Sequence, residues 1–459
     1  MDYVEKLIDP KKLPNLVEDA LDYAHCIGLV IRTPDHKDRS DICQNAPFAL
    51  LPSPFPRHLF EQGMNVQKAL NLLYFKISWD QEFLINTHKD VIPEDKFTRD
   101  MVNCYLAVRN SGGPKQTVML LTQRGDYMCH TGDSEQNKEL SLKQIEVNNI
   151  AVSMGGLAQK GYFTASSDAS KTGDEQKFNN PKAAVLVVIE NVNQNQPDQR
   201  YVEYELERLE YGIKIIRVTL TEAHEKLKLN ANHELEHKDY PHPIALVYFR
   251  AGYSPDHYPT EIEWEARLRI EQSTAIKCPW IGLQLANTKK VQQVLASHKT
   301  VERFLTDPKD IQAVYATFAG LWGLENEDKE TEDIVKDAIE HPERYVLKPQ
   351  LEGGAGNYYG DEIPKRLKSY SLRERATHIL MQRIRPLVVK NYHVRAFHGP
   401  ELANTVSELG TYGYLLGDGK NLEVYENQSS GHILRSKAEH VNEGGVAVGY
   451  AVIDGPFLF

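Results

Sequence analysis

Cysteine is scarce in this chain of 459 residues: Cys26, Cys43, Cys104, Cys129 and Cys278 are all it has. The number is odd and no pair is spaced CxxC, so a disulfide framework is excluded and free thiols in a reducing compartment, the cytosol, are expected. A leader removed on export would leave no trace, which keeps secretion open, and Asn427-Gln428-Ser429 is the sequon a glycan would then use. No apolar run reaches the ~18 residues of a membrane span. Positive charge is also short. The formal net charge is −11, with no basic stripe for a nucleic acid. Two phosphate signatures are missing as well. A P-loop needs Lys directly after its last Gly, and a dinucleotide fingerprint needs GxGxxG; Gly354, Gly356 and Gly360 give GxGxxxG instead.

What remains is an ordinary globular composition, 41% hydrophobic and 25% charged, long enough for two or three domains of about 150 residues. Apolar spacing predicts helices over 13–28, 56–90 and 95–110. The β-rich runs "QTVMLL", "LKQIEVNNIAV", "AAVLVVIE", "IKIIRVTL" and "IALVYFR" follow, with "YVEYELERLEYG" and "EIEWEARLRIEQSTAI" as helices. Alternating strands and helices indicate an α/β (mixed α+β) layer architecture. Residues 287–339 read as helical, "RYVLKPQ" as a strand, 371–378 as a helix, and "HILMQRI" and "NTVSELGTYGYLL" as strands. The polar stretch 159–181 reads as a loop.

Four clusters carry candidate chemistry. "LKPQLEGGAGNYYG", 347–360, holds four of the 29 glycines, with Lys348 near a strand tip and Glu352 before the glycines. An ammonium, a carboxylate and a flexible flap suit a nucleotide phosphate and Mg²⁺; a glycine hairpin with a solvated Lys is the plain alternative. Glu146 and Asn148 lie two apart on a strand, so both point one way, as Mg²⁺ ligands or as a wet face. Arg124 in "TQRGDYM", and Arg250 with Tyr253 in "YFRAGY", read as post-strand residues where α/β proteins bind ligands, or as surface arginines. Arg435 and Lys437 beside "NEGGVAVGYA" suit charge developing on a transferring phosphoryl, or a basic edge strand.

Together with "NAPFALLPSPFP", "AIKCP", "QLANTKKVQQ" and "LRSKAEH…GGVAVGYAVID", these segments resemble the eukaryotic glutathione synthetases over nearly the whole chain. The resemblance implies an ATP-grasp fold with a glycine-rich lid and an inserted α/β substrate domain. It divides the chain into 1–182, the helical region and part of the body; 183–286, the dipeptide domain; 287–339, a helical continuation; 340–408, the lid; and 409–459, the return to the body. It implies a cytosolic homodimer whose partners are small molecules: ATP, γ-glutamylcysteine, glycine and glutathione. ATP would phosphorylate the dipeptide's carboxylate and glycine's amine would displace the phosphate. By resemblance Glu146, Asn148 and Glu352 hold Mg²⁺. Met128, Lys289, Lys348, Asn357, Tyr359, Met381, Gln382, Ile384, Glu408 and Lys437 face ATP. Arg124, Ala151, Ser153, Asn193, Asn195, Gln199, Arg250, Tyr253, Arg435, Val446 and Ala447 line the peptide site, and Arg435, Lys437 and Lys348 serve catalysis.

The sequence departs from the family pattern at Ala151, where Ser is usual, and at Asn193, where Glu is usual. It departs again at Ala251, where Asp is usual, at Gln382, where Glu is usual, and at Val448, where a second small Ala is usual. The stretch 159–181 is shorter by about one helix. Two alternatives stay open beside glutathione synthesis: a ligase with another dipeptide or acceptor, and a binding or secreted interaction protein without ligase activity.

Overall fold

A seven-stranded sheet organises the chain, in the order Val388–Val394, Phe48–Ala49, Val452–Asp454, Glu423–Ala438, Glu401–Asp418, Val118–His130 and Ser141–Asn148. The computed structural model describes residues 8–132, 139–161, 182–208, 213–297, 299–350, 356–442 and 444–459. Side chains alternate across each strand. On one face Gln123, Tyr127, Leu409 and Thr411 turn to the helix Arg57–Trp79; Gln67 there donates to Gln123 at 3.0 Å and accepts from Thr411 at 2.7 Å. The other face carries Arg124, Asp126, Glu408 and Arg435, and becomes the site.

A second sheet is parallel at its heart: Lys214–Val218, Ala184–Val188, Tyr240–Phe249 and Ile276–Cys278. All five residues of Ala184–Val188 are buried, as befits a parallel strand covered on both faces. A third sheet, antiparallel, sets His378–Gln382 between Leu321–Gly323 and Tyr345–Pro349. Leu347, Leu380, Val335, Ile363 and Leu367 form its own core, under the helices Lys329–Glu340 and Glu362–Ser369. Among the described residues no helix is long and apolar enough to cross a membrane.

Several expectations need correction. Arg124 does not follow a strand: Gly125 and Asp126 look like a turn, yet the strand runs unbroken from Val118 to His130. Arg435 and Lys437 are not on an edge, since Glu423–Ala438 is paired on both sides. The helix over 56–90 is two helices broken at Asp80, whose carboxylate accepts the Phe83 N–H at 2.9 Å and caps the second. Residues 287–339 include the strand Leu321–Gly323, and the helix over 371–378 is Leu372–Ala376, with His378 already in a strand. Of 159–181, residues 162–181 lie outside the described residues. Asn427 of the sequon is inside a strand, donating to Lys68 O at 2.9 Å and accepting from Asn71 at 2.8 Å, so its amide is occupied.

Asp454 joins segments far apart in sequence. Its carboxylate accepts from the Ser53 hydroxyl at 2.6 Å, the Ser436 hydroxyl at 2.5 Å and the Ser53 N–H at 3.2 Å. Burial nevertheless pushes its pKa up to about 6, from 3.8. A carboxyl raised in the folded state stabilises most below the unfolded pKa, and that contribution is lost as pH rises through the folded one. The stability of Asp454→Asn relative to the parent should therefore rise by about 2 kcal/mol between pH 4 and pH 7. Urea midpoints of both proteins across that range check this; a flat difference would refute it.

Candidate active site

Four neighbouring strands place a cluster of charge on one face of the large sheet. Arg124 grips Asp126 with Nε at 2.6 Å and Nη2 at 2.9 Å. Arg435 reaches the same carboxylate at 3.0 Å and also pairs with Glu408. To do so it crosses the strand Glu401–Asp418 over Gly410, which stands opposite Asp126. A Cβ at Gly410 would sit 2.8 Å from Arg124 Cδ and 2.9 Å from Asp126 Oδ1, so glycine is what lets the charges meet. Asn148 donates its amide to Asp126 at 2.9 Å. That leaves its carboxamide oxygen, beside the Glu146 carboxylate two residues earlier, as a pair of hard oxygen donors.

The nucleotide side begins at Glu146. Lys289, almost fully buried, pairs with it at 3.2 Å. A β-bulge between Asp126 and Tyr127 leaves Ile145 outside the regular pairing, and its carbonyl accepts from Lys348 at 3.0 Å. Lys289 and Lys348 thus converge on neighbouring residues of one strand. Both line an enclosed cavity between the large and the three-stranded sheets, with Gln144, Ile145, Gln292, Phe318, Ala319, Leu321, Ile379 and Met381. Its lining combines apolar side chains of the kind that hold a base with two ammonium groups of the kind that hold phosphates. The glycine loop leaves and rejoins the three-stranded sheet there: Tyr358 N donates to Leu347 O at 2.9 Å and Leu347 N to Tyr358 O at 3.1 Å. Glu352 lies outside the described residues. Gln382 spends its N–H on Gly320 O at 2.8 Å and its side-chain oxygen on Gly320 N at 3.1 Å. Tyr359 stacks under Arg383, Asn357 and Ile384 are half-buried, and Met128 pairs across strands with Glu408. Lys437 shares Arg435's face and donates to Asn442 O at 2.5 Å, at the root of the second glycine loop. Val446 of that loop is buried against Ile433 and Ile453, Ala447 packs beside it, and Val448 is 67% exposed.

The peptide side is built on residues 150–154. Ala151 and Met154 hold φ of +51° and +70°, a left-handed backbone that costs a non-glycine residue about 1 kcal/mol or more each. The twist turns two carbonyls to arginines: Ser153 O accepts from Arg124 at 3.1 Å, and Val152 O accepts from Arg250. Tyr412, which sequence reasoning passed over, donates to Ser153 O at 2.9 Å. Asp198 holds the loop by accepting the N–H groups of Met154 at 2.8 Å, Gly156 at 3.0 Å and Leu157 at 3.2 Å, and it lies 3.7 Å from Arg250. Asn195, Gln199, Arg250 and Tyr253 gather at the carboxyl ends of the parallel strands, where open α/β sheets bind ligands. Gln199 accepts from Arg217 at 3.2 Å. Asn193 donates to Glu190 at 3.0 Å and Tyr253 donates to it at 2.8 Å. Ala251 is buried in the apolar core. Asp126, Asp198, Glu190 and the adenine-side apolar residues had no motif of their own; only strand alternation through "RGDYM" and "KQIEVN" could have singled some of them out.

This geometry can be set beside known proteins. Residues 10–458 match the family model of the eukaryotic glutathione synthase ATP-binding domain. The glutathione synthetase of Xenopus laevis is 36% identical, and that of Homo sapiens 37%, each match covering 98% of both chains. The chloroplastic enzyme of Arabidopsis thaliana is 35% identical over 99% of this chain and 87% of its own. Among solved structures, a glutathione synthetase-like effector from Globodera pallida, in apo form, superposes with a TM-score of 0.76 at 27% identity over 98% of each chain. With two sheets facing one cavity and a glycine loop rooted beside it, the fold is mixed α/β of the ATP-grasp kind, and the chain belongs to the eukaryotic glutathione synthetase family.

Proposed function

We propose that the chain is an ATP-dependent ligase that joins γ-glutamylcysteine to glycine, releasing glutathione, ADP and phosphate. One observation carries this reading. Lys348, Glu146 with Lys289, Asp126 with Arg124 and Arg435, and Ser153 follow one another across paired strands from the cavity to the peptide loop. A phosphate donor and a carboxylate acceptor would meet along that line.

The dipeptide's terminal carboxylate attacks the γ-phosphorus; the bond to the β-phosphate oxygen breaks and ADP leaves. Glycine's amine then attacks the acyl carbon, loses a proton, and inorganic phosphate departs as the amide forms. Lys289 and Lys348 neutralise phosphate charge from the cavity side. Arg435 and Arg124 face the reacting carboxylate and stabilise the charge that develops there. Their own charges are balanced by Asp126 and Glu408, so they are fixed in place before substrate arrives. Glu146 and Asn148 Oδ1 would hold Mg²⁺, which when bound neutralises phosphate oxygens. The anchored Asn148 amide nitrogen fits that role, because it turns the oxygen outward.

Glu146→Gln should cut kcat about 10²- to 10³-fold, the usual loss when one preorganised electrostatic group is removed. It should also raise the Mg²⁺ concentration for half-maximal rate. ADP release titrated with Mg²⁺ checks both; an unchanged Mg²⁺ dependence would refute the assignment of Glu146. A second assay offers glycine, serine, alanine and β-alanine with γ-glutamylcysteine and reads product masses. Glycine should give glutathione. Turnover with another amine alone would place the change in the loop carrying Val448, and no turnover with any would favour a binding protein.

A further inference from the structure

Of five acidic side chains across the site as a whole, four are already matched. Asp126 has Arg124 and Arg435, Glu408 has Arg435, Glu146 has Lys289, and Asp198 has Arg250 with three backbone N–H groups. Glu190 differs. Among the described residues it has no Lys or Arg partner. Its oxygens are instead held by Tyr253 Oη at 2.8 Å, Asn193 Nδ2 at 3.0 Å and His257 Nε2 at 3.4 Å. His257 Nδ1 accepts from the N–H groups of Gly252 at 3.0 Å and Ser254 at 3.3 Å. Nε2 is therefore the ring nitrogen that donates toward Glu190. Burial works against ionisation of Glu190, but the hydrogen bonds from His257, Tyr253 and Asn193, with the electrostatic attraction of His257, hold its pKa below the ordinary carboxylate value. The result is a half-buried negative charge, oriented from three sides, with no Lys or Arg countercharge among the described residues.

Its place in the fold supplies the rest. Glu190 lies two residues past Val188, and Arg250 one residue past Phe249, on adjacent parallel strands; Arg250 N donates to Val188 O at 2.8 Å. Arg250 is 5% exposed, and its Nε has no hydrogen-bond partner, as is also true of the buried Asn195 Oδ1. The Glu190 carboxylate and the unmatched Arg250 N–H stand at one pair of strand ends, and the unmatched Asn195 amide oxygen follows just before the helix Gln196–Arg208. That set is complementary to the head of an α-amino acid, with its ammonium on a carboxylate and its carboxylate on an arginine.

We propose that Glu190 is the specificity-determining anchor for the α-ammonium group of the γ-glutamyl substrate. The inference rests on reading the site as a γ-glutamyl peptide pocket. It also gives Asn193 a reason. Asn193 Oδ1 accepts the Asn195 N–H at 2.6 Å while Nδ2 donates to Glu190, so the amide bridges anchor and pocket. A carboxylate at 193 would stand about 3 Å from Glu190, where two like charges repel. A negative charge at 190 thus excludes one at 193, and the pocket keeps one carboxylate on a different stalk.

The test is calorimetric binding to the full chain of γ-glutamylcysteine and of glutarylcysteine, which lacks only the ammonium. The parent should prefer γ-glutamylcysteine by at least about 10-fold, the scale of one charged hydrogen bond. Glu190→Gln should lose that preference while still binding glutarylcysteine, which shows that it is folded. Asn193→Glu should weaken binding in the parent yet restore the preference in Glu190→Gln. In turnover, the single variant should raise KM for the dipeptide far more than it lowers kcat. Retained preference in Glu190→Gln would overturn the anchor and leave the ligase reading standing, since the parent would still bind and turn over. Failure of the parent to bind either compound would sink both.

Discussion

The carboxylate of Asp126, fully buried, takes two bonds from Arg124, one from Arg435 and one from Asn148. Those partners lie on three strands, Arg124 on Asp126's own, and each has a second duty. Arg124 supports the peptide loop through Ser153 O, Arg435 meets Glu408, and Asn148 offers its oxygen beside Glu146. A buried charge is costly unless it is paired and hydrogen-bonded. Here two arginines face two carboxylates, Asp126 and Glu408, so the cluster is close to neutral while every member is held in direction. The electrostatics that would act on a transferring phosphoryl group are therefore the same bonds that fix the register of the sheet. Gly410 is the steric condition for this, since any side chain there would part Arg124 from Asp126.

The peptide end uses the same device at a second carboxylate. Asp198 accepts three N–H groups at the start of the helix Gly155–Gly161, where unsatisfied donors gather. By doing so it holds Ala151 and Met154 in the left-handed region and turns the carbonyls of Val152 and Ser153 toward Arg250 and Arg124. Backbone strain in the loop is thus offset by capping a helix. The serine-to-alanine difference at 151 removes a hydroxyl, but the hydrogen bonds described for the loop are all made to its backbone atoms.

The layers of the fold were legible in the sequence because their periodicities are clean. "AVLVV" can only be a covered strand, and Arg57–Trp79 carries its apolar stripe over many turns. The failures have local causes. "RGD" spells a turn, and it is pairing with strands on both sides that carries it on as sheet, with Gly410 leaving room for Arg124 and Asp126. Leu321–Gly323 is three residues long and takes its conformation from pairing with His378–Gln382, not from its own composition. The site was half legible. Lys289, Lys348, Glu146 and Asn148 sit in recognisable segments. Asp126, Asp198 and Glu190 do not, because what marks them is who holds them, and a partner tens to hundreds of residues away leaves no signature in a single chain.

The departures at the peptide pocket look like losses when they are read one position at a time. Asn193 has no charge where the family pattern has one, and Ala251 has none beside Arg250. Yet Ala251 is enclosed by apolar core, where a carboxylate would need a partner of its own. At 193 the missing charge is matched by one on Glu190, whose Oε2 accepts the Asn193 amide. Binding of a charged head group depends on where the oxygen atoms stand, not on which residue number carries them. A pocket can move its carboxylate from one side of a hydrogen bond to the other and keep the same field at the ligand. The nucleotide half, by contrast, has little such freedom: Lys289 and Lys348 are locked to neighbouring residues of one strand, and a shift of either would break the pairing that holds it. The fixed half and the adjustable half meet at Arg124, which belongs to both, through Asp126 on one side and Ser153 on the other.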